Sequence, residues 1–346
     1  MPLPFPKNIE SVFHAHPVKN PFSKAYTKHI APQFIARAHE VDQAEPIPKN
    51  LFFVWTEFEH GHPFQDHYVE NILAAKRLFP DYSVILYVTC LPDSPNRHLY
   101  DFLSKNGVQI TPIPNVTTMP ALEAIIHDLP ATTLRDFLNE HVEYWDTFNP
   151  HYADPKNGIE LLKDILSDYF SEKAIGLTVD MNRLLLLYFY GGIYLDCDIK
   201  ILHQDFLFPT RLFPSVFAFI PQNEAGGDAV LNNDFIGSAP RNPLILEYIL
   251  SILANFVALK SDPDFTKMID KDISCTSGPL VLMSLVLEKI SNGSKNMPDL
   301  YYFPPNVYDT LASNSHDATW AVESPPDSPQ VPTESYPPAK RKKMVP

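Results

Sequence analysis

The sequence predicts an α/β fold in which helices flank a mixed sheet, the kind of scaffold that binds nucleotides. Three observations point to it. Between Lys49 and Ile113, apolar runs of strand length alternate with helically spaced segments across short connections. A very apolar helix, Val179–Tyr190, reverses at Gly191-Gly192 straight into the strand-like run IYLDCDIKIL. The 346 residues are 45% hydrophobic and 20% charged, a globular balance in a chain long enough to bury a sizeable core.

The elements follow in order. Residues 1–47 are punctuated by proline and predict one short helix around Gln33–Gln43 that packs on the main body. Leu51–Trp55 reads as a strand, His67–Phe79 as a helix stopped by Pro80, Ser83–Thr89 as a second strand, Arg97–Lys105 as a helix ended at Gly107, and Val108–Ile113 as a third strand. Sites in such sheets lie at the carboxyl ends of the strands, where Trp55 and Thr56 stand. Residues 115–170 predict a helical insertion (Ala121–Leu129, Thr133–Trp145, Ile159–Tyr169). The chain has 35 Pro against 11 Gly, yet none between Lys156 and Phe208, so nothing interrupts regular structure there. Strands at Val216–Ile220 and Ala229–Ile236, helices at Leu244–Leu259 and from Gly278 to Ile290, and a strand at Leu300–Phe303 complete a main domain over 48–322. The polar, proline-rich residues 323–346 cannot offset their ordering entropy by burial and read as a disordered tail.

Composition also excludes. With 27 basic against 41 acidic residues the net charge is −14, a field that repels a phosphate backbone, so nucleic acid is not an expected partner. That balance suits a protein that holds an anionic substrate through a divalent cation. Cys90, Cys197 and Cys275 show neither metal-like spacing nor a disulfide framework, which favours a reducing compartment. No signal-peptide pattern and no run of ~20 apolar residues is present, so a soluble protein without a transmembrane segment is expected. Gly-x-Gly-x-x-Gly, Walker and Gly-x-Ser-x-Gly patterns are absent. His60-Gly61-His62 reads as a solvated loop, Asn115-Val116-Thr117 as an unused sequon, and Lys340-Arg341-Lys342-Lys343 as solvated charge.

The chemistry concentrates in Tyr194-Leu195-Asp196-Cys197-Asp198. On a continuous strand Tyr194, Asp196 and Asp198 share one face, with the two carboxylates about 7 Å apart. Such carboxylates repel unless a cation sits between them, and hard oxygen ligands favour Mg²⁺ or Mn²⁺ bridging to substrate phosphates. Asp180 and Arg183 lie three apart on the preceding helix, placed to accept hydroxyl hydrogen bonds and to clamp an anion. An Asp-x-Asp triplet alone is common, Asp180 with Arg183 alone reads as a local ion pair, and LLLLYFY is plain core. Their assembly within twenty residues carries the weight.

The stretch VDMNRLLLLYFYGGIYLDCDI resembles the sugar-binding region of the DXD-containing glycosyltransferases, a group that includes yeast Golgi mannosyltransferases, clostridial glucosylating toxins and bacterial effector glucosyltransferases. Asp180, Arg183, Gly191, Gly192, Tyr194, Asp196 and Asp198 match the group's pattern, with Val179 where it has Ser. Pro48, Lys49 and Phe53-Val54-Trp55 are similar to its first strand, Asn232-Asn233-Asp234-Phe235-Ile236 to a segment in which an Asn approaches the donor sugar, and Thr276-Ser277-Gly278-Pro279 to a helix start.

The resemblance implies a GT-A-like fold and a metal-dependent, retaining transferase that moves a hexose from a UDP-sugar, UDP-glucose or UDP-N-acetylglucosamine, to an acceptor. It implies Asp198 on Mn²⁺ or Mg²⁺, Asp196 on ribose or sugar hydroxyls and assisting the metal, and Asp180 and Arg183 on sugar and diphosphate. Val54 and Trp55 receive the uracil, with Trp55 stacked on it. Tyr194 packs beside ribose or diphosphate, Asn233 nears the sugar, Trp320 contacts the diphosphate, and His316 stands where a further metal ligand falls. Toxin and effector members need no membrane anchor, which implies an effector-like enzyme acting on a host protein in a cytosol. The competing reading is a non-catalytic UDP-sugar-binding or scaffold module on the same shell.

Overall fold

The computed structural model describes residues 21–38, 46–57, 63–89, 94–113, 125, 175–221, 229–261, 277–291 and 299–314. The expected insertion over 115–170 (apart from Ile125), the tail over 323–346, His60, His62, Cys90, Cys275, His316 and Trp320 lie outside them.

Strands β1 (Asn50–Trp55), β2 (Ser83–Val88), β3 (Gln109–Pro112), β4 (Gly192–Leu195), β6 (Ser215–Pro221), β7 (Ala229–Ser238) and β8 (Leu300–Phe303) form one sheet in the order β3-β2-β1-β4-β7-β6-β8. A second, two-stranded sheet pairs β5 (Ile199–Ile201) with β9 (Ala312–Asn314). In the large sheet β3, β2, β1 and β4 run parallel, β7 is antiparallel to both β4 and β6, and β8 is parallel to β6. Strands buried on both faces should be apolar without alternation. Asn-Leu-Phe-Phe-Val-Trp of β1 meets that condition, with Leu51 through Trp55 all buried.

Helices flank the sheet. α3 (Asp66–Leu78) and α4 (Arg97–Lys105) are the crossovers that carry the chain from β1 to β2 and from β2 to β3. α5 (Ile175–Tyr190) packs on β1, β4 and β7 and against α6 (Pro243–Ser261), which in turn meets α7 (Pro279–Ser291). The short α8 (Pro305–Leu311) leads into β9. β1 is thus followed by β2 on one side, while β4 enters on its other side. The carboxyl ends of β1 and β4 therefore border the point where strand order reverses, the place at which open α/β sheets bind ligands.

Two expectations are corrected. Among the described residues the N-terminal helix runs through α1 (Pro21–Ala25), one π turn (Tyr26–Ile30) and α2 (Ala31–Ala38), so it begins well ahead of Gln33, while residues 39–43 of the expected Gln33–Gln43 lie outside the described residues. The wide turn, in which Ala31 N–H bonds to Tyr26 O, lies just ahead of Pro32, whose missing N–H had read as punctuation. Phe22, Tyr26, Ile30 and Phe34, spaced by four, are buried, and the Tyr26 ring meets Tyr301 edge-on at 6.0 Å while Phe34 packs tilted against it at 5.2 Å. Second, IYLDCDIKIL is not one strand. β4 ends at Leu195, Asp196–Asp198 turn, closed by Ile199 N–H on Asp196 O at 3.1 Å, and β5 joins the other sheet. The strict two-residue alternation of Asp196 with Asp198 is therefore lost.

Candidate active site

The site is built where β4 leaves the sheet. At the end of α5, Gly191 takes φ +61° and Gly192 φ +119°, values that favour glycine. Neither tolerates a side chain: a Cβ on Gly191 would stand 2.6 Å from Pro240 Cδ, and one on Gly192 would stand 2.7 Å from Asn50 O. This close reversal brings the carboxylate and guanidinium of α5 beside the acidic turn.

Asp180 and Arg183 are 5% and 6% exposed. Asp180 Oδ1 lies 3.0 Å from Arg183 Nη2 and accepts from Asn233 Nδ2 at 2.9 Å, while Oδ2 accepts from Ser277 Oγ at 2.6 Å. Arg183 Nη1 donates to Asn233 O at 2.7 Å and stands 3.3 Å from Asp196 Oδ1. The guanidinium carbon sits 4.5 Å over the Tyr194 ring, whose hydroxyl donates to Asp196 Oδ1. Burial opposes the charge on Arg183, but Tyr194, Asp196 and Asp180 more than offset it and hold its pKa above the ordinary value. Burial raises Asp180 against the opposing pull of Arg183. Removing one member of a buried pair of this kind leaves an uncompensated charge and costs about 3–5 kcal/mol.

The Asp196–Asp198 turn is held from several sides. Asn71 of α3 donates to Cys197 O at 3.0 Å, Cys197 Sγ contacts Val54 O at 3.9 Å, and Asp196 N–H donates to Asp234 O at 2.8 Å. Asn314 of β9 pairs with Ile199 and donates to Asp234 Oδ2 at 2.7 Å. Asp234 is buried, and its Oδ1 has no hydrogen-bond partner. Burial first, then the neighbouring Asp196 and Asp198, push its carboxyl well above the ordinary range. Among the described residues no group of three or more His, Cys, Asp or Glu side chains is placed to hold a metal ion.

The residues named from the sequence divide clearly. Asp180, Arg183, Tyr194, Asp196 and Asn233 form one bonded cluster, Asp198 shares its turn, and Val54 touches it through Cys197. Tyr194, buried between Phe52 and Arg183, props Asp196 from below. Trp55 stands at the end of β1, 8% exposed, packed on Phe64 at 5.1 Å and Tyr68 at 5.4 Å. Sequence reasoning gave no role to Ser277, Asp234, Asn71 or Asn314. Their partners lie 97, 80 or 126 positions away, and no local pattern announces them.

Residues 70–206, which hold α3, α5, β4 and the acidic turn, match the family described as glycosyltransferase sugar-binding region containing DXD motif. Over those residues the chain is similar to the DXD glycosyltransferases. No curated protein matches this chain. Among solved structures it is similar to the PaToxG glycosyltransferase, with 15% identity over 77% of this chain and 83% of that one and a TM-score of 0.43. The UDP-bound glycosyltransferase domain of the YGT toxin is 13% identical over 77% and 80%, with a TM-score of 0.40. The catalytic domain of alpha-toxin from Clostridium novyi is 10% identical over 78% and 80%, with a TM-score of 0.41. Among the described residues no helix is long and apolar enough to cross a membrane.

Proposed function

We propose that this glycosyltransferase moves a hexose from a UDP-sugar, UDP-glucose or UDP-N-acetylglucosamine, to a protein acceptor, with retention of anomeric configuration. The observation that carries the reading is the turn itself. Asp196 and Asp198 stand together at the carboxyl end of β4, beside the end of β1, with Arg183 buried under them. Asp196 and Asp198 offer only oxygen, and Asp234, bonded to Asp196 N–H, has a buried Oδ1 without a hydrogen-bond partner, a chemistry that suits a hard divalent cation. Asp198, assisted by Asp196, would hold Mn²⁺ or Mg²⁺. When bound, such an ion neutralises charge on the diphosphate as the bond to the anomeric carbon breaks.

The chain's own residues do the rest. Arg183, locked by Asn233 O and Tyr194, presents a fixed positive charge toward Asp196 and the diphosphate beyond it. Asp180 and Asn233, bonded to each other, border the place for the sugar hydroxyls. Val54 and Trp55 bound the nucleoside end at β1. The resemblance gives Trp320 a diphosphate contact and His316 a metal contact; both lie outside the described residues. An effector-like role on a host protein follows from the family resemblance.

The test is turnover of radiolabelled UDP-glucose and UDP-N-acetylglucosamine with Mn²⁺, with and without a cell lysate. The wild type should release or transfer hexose, and Asp198→Ala should fall to background with its circular dichroism and melting curve unchanged. Near-normal turnover in a folded Asp198→Ala protein would sink the assignment. UDP binding by the wild type without any turnover would support a binding module instead.

A further inference from the structure

A ring of buried hydrogen bonds lies behind the acidic turn, and two of its members have no part in the reaction above. Tyr248 of α6 and Ser277, two residues ahead of α7, are both 0% exposed. The Tyr248 hydroxyl donates to Ser277 O at 2.8 Å and to Gly278 O at 2.9 Å. Ser277 Oγ donates in turn to Asp180 Oδ2 at 2.6 Å. Asp180 Oδ1 accepts from Asn233 Nδ2 at 2.9 Å, and the Asn233 side chain also hydrogen-bonds the Tyr248 hydroxyl, which closes the ring. Arg183 is seated on it twice, 3.0 Å from Asp180 Oδ1 and by donation to Asn233 O at 2.7 Å.

A carboxylate buried this deeply is tolerated only while its oxygens are bonded. Oδ1 serves Arg183 and Asn233, and Ser277 serves Oδ2. Without that hydroxyl, Oδ2 loses a hydrogen bond of the stronger, charge-assisted kind and is left buried. Turning the carboxylate relieves Oδ2 and takes Oδ1 away from Arg183. The guanidinium has no hold at Nε, which is buried without a hydrogen-bond partner, so its place rests on Asp180, Asn233 O and the Tyr194 ring. Its far side reaches Asp196 Oδ1 at 3.3 Å. A shift of Asp180 is thus passed to the charge that faces the donor, and misplacement by about 1 Å can cost ~100-fold in rate.

Resting on the transferase reading above, we propose that Ser277 and Tyr248 are positioning residues for the sugar-transfer step. Both are fully enclosed, so they act through Asp180, which carries their hold to Arg183 and Asn233. The link spans three helices: α6 fixes the start of α7, and the start of α7 fixes α5 at Asp180.

The test uses the full chain with Mn²⁺: turnover of UDP-glucose or UDP-N-acetylglucosamine, whichever the wild type accepts, and calorimetric titration with UDP. Ser277→Ala should lower kcat about 10- to 100-fold while KM and UDP affinity stay within about threefold, because Arg183 is needed most as charge builds on the departing diphosphate. Tyr248→Phe keeps the ring and removes the hydroxyl. It should lower kcat about fivefold or more with the same split, and it carries the test if Ser277→Ala does not fold. In Asp180→Asn the amide oxygen stays with Arg183 and Asn233, and its nitrogen faces Ser277 where an acceptor stood. Adding Ser277→Ala to that variant should cost no more than about twofold further, since the bond is already gone.

Turnover within about threefold of the wild type in both Ser277→Ala and Tyr248→Phe would overturn the inference. So would losses of UDP affinity that match the losses in kcat, the mark of a merely structural role, or fully additive effects of Ser277→Ala and Asp180→Asn. In each of these cases the wild type still turns over its donor and the transferase reading stands. A wild type that binds UDP yet turns over neither UDP-sugar would overturn both.

Discussion

Asp234 is a carboxyl placed where ionisation is costly, under Asp196 N–H and beside two further acidic residues. Its proton is held more tightly in the folded chain than in the unfolded one, so this group supports folding below the ordinary aspartate range, about pH 4, and that support drains away as pH rises through its raised value. In metal-free buffer, Asp234→Asn should flatten the fall of the melting temperature with rising pH, measured by calorimetry at several pH values. Mn²⁺ should flatten it in the wild type as well, by favouring the ionised acidic cluster. Asn71 acts through position: it holds Cys197 O between the two aspartates. Asn71→Ala should raise the Mn²⁺ concentration for half-maximal turnover about 10- to 100-fold, the usual cost of losing support for a ligand. A metal titration of activity reads this.

At the level of elements, apolar runs and stop signals made most strands and helices legible. Arg97–Lys105 has the bounds expected from its spacing and Gly107, and Leu300–Phe303 those of its apolar run. What was not legible is the break in IYLDCDIKIL. Its apolar residues keep a strand-like alternation through Ile201, but β5 leaves the large sheet because its partner is β9, more than a hundred residues later. The Asp-x-Asp site was read from its own residues. Its supports, Ser277, Asn314 and Asn71, were not, because each reaches it from a distant segment. The glycine pair was read as a turn, but its packing against Pro240, Pro48 and Asn50 needed coordinates. Gly192→Ala combines a left-handed backbone with a 2.7 Å clash and should cost at least ~2 kcal/mol, measured by urea unfolding.

Across the whole molecule, the N-terminal helical segment is part of the core. Tyr302 donates to Phe22 O, and Arg37 donates to Leu212 O at 2.8 Å, pairs with Asp299 at 2.7 Å and lies 4.6 Å over the Phe213 ring. A chain starting at residue 47 would expose Tyr301, Tyr302 and Phe213. It should bind the dye ANS and elute as aggregate in size-exclusion chromatography, whereas the full chain should do neither.

The pairing of β5 with β9 also sets a time order. A chain emerging from the ribosome makes Asp196 and Asp198 more than a hundred residues before Asn314, and Ile199 has no strand partner until Asn314 arrives. The acidic turn therefore cannot complete its packing as it is synthesised. Closing so long a loop is slow, so the last strand described in the chain acts as the latch whose arrival decides when the acidic turn of a newly made chain is complete.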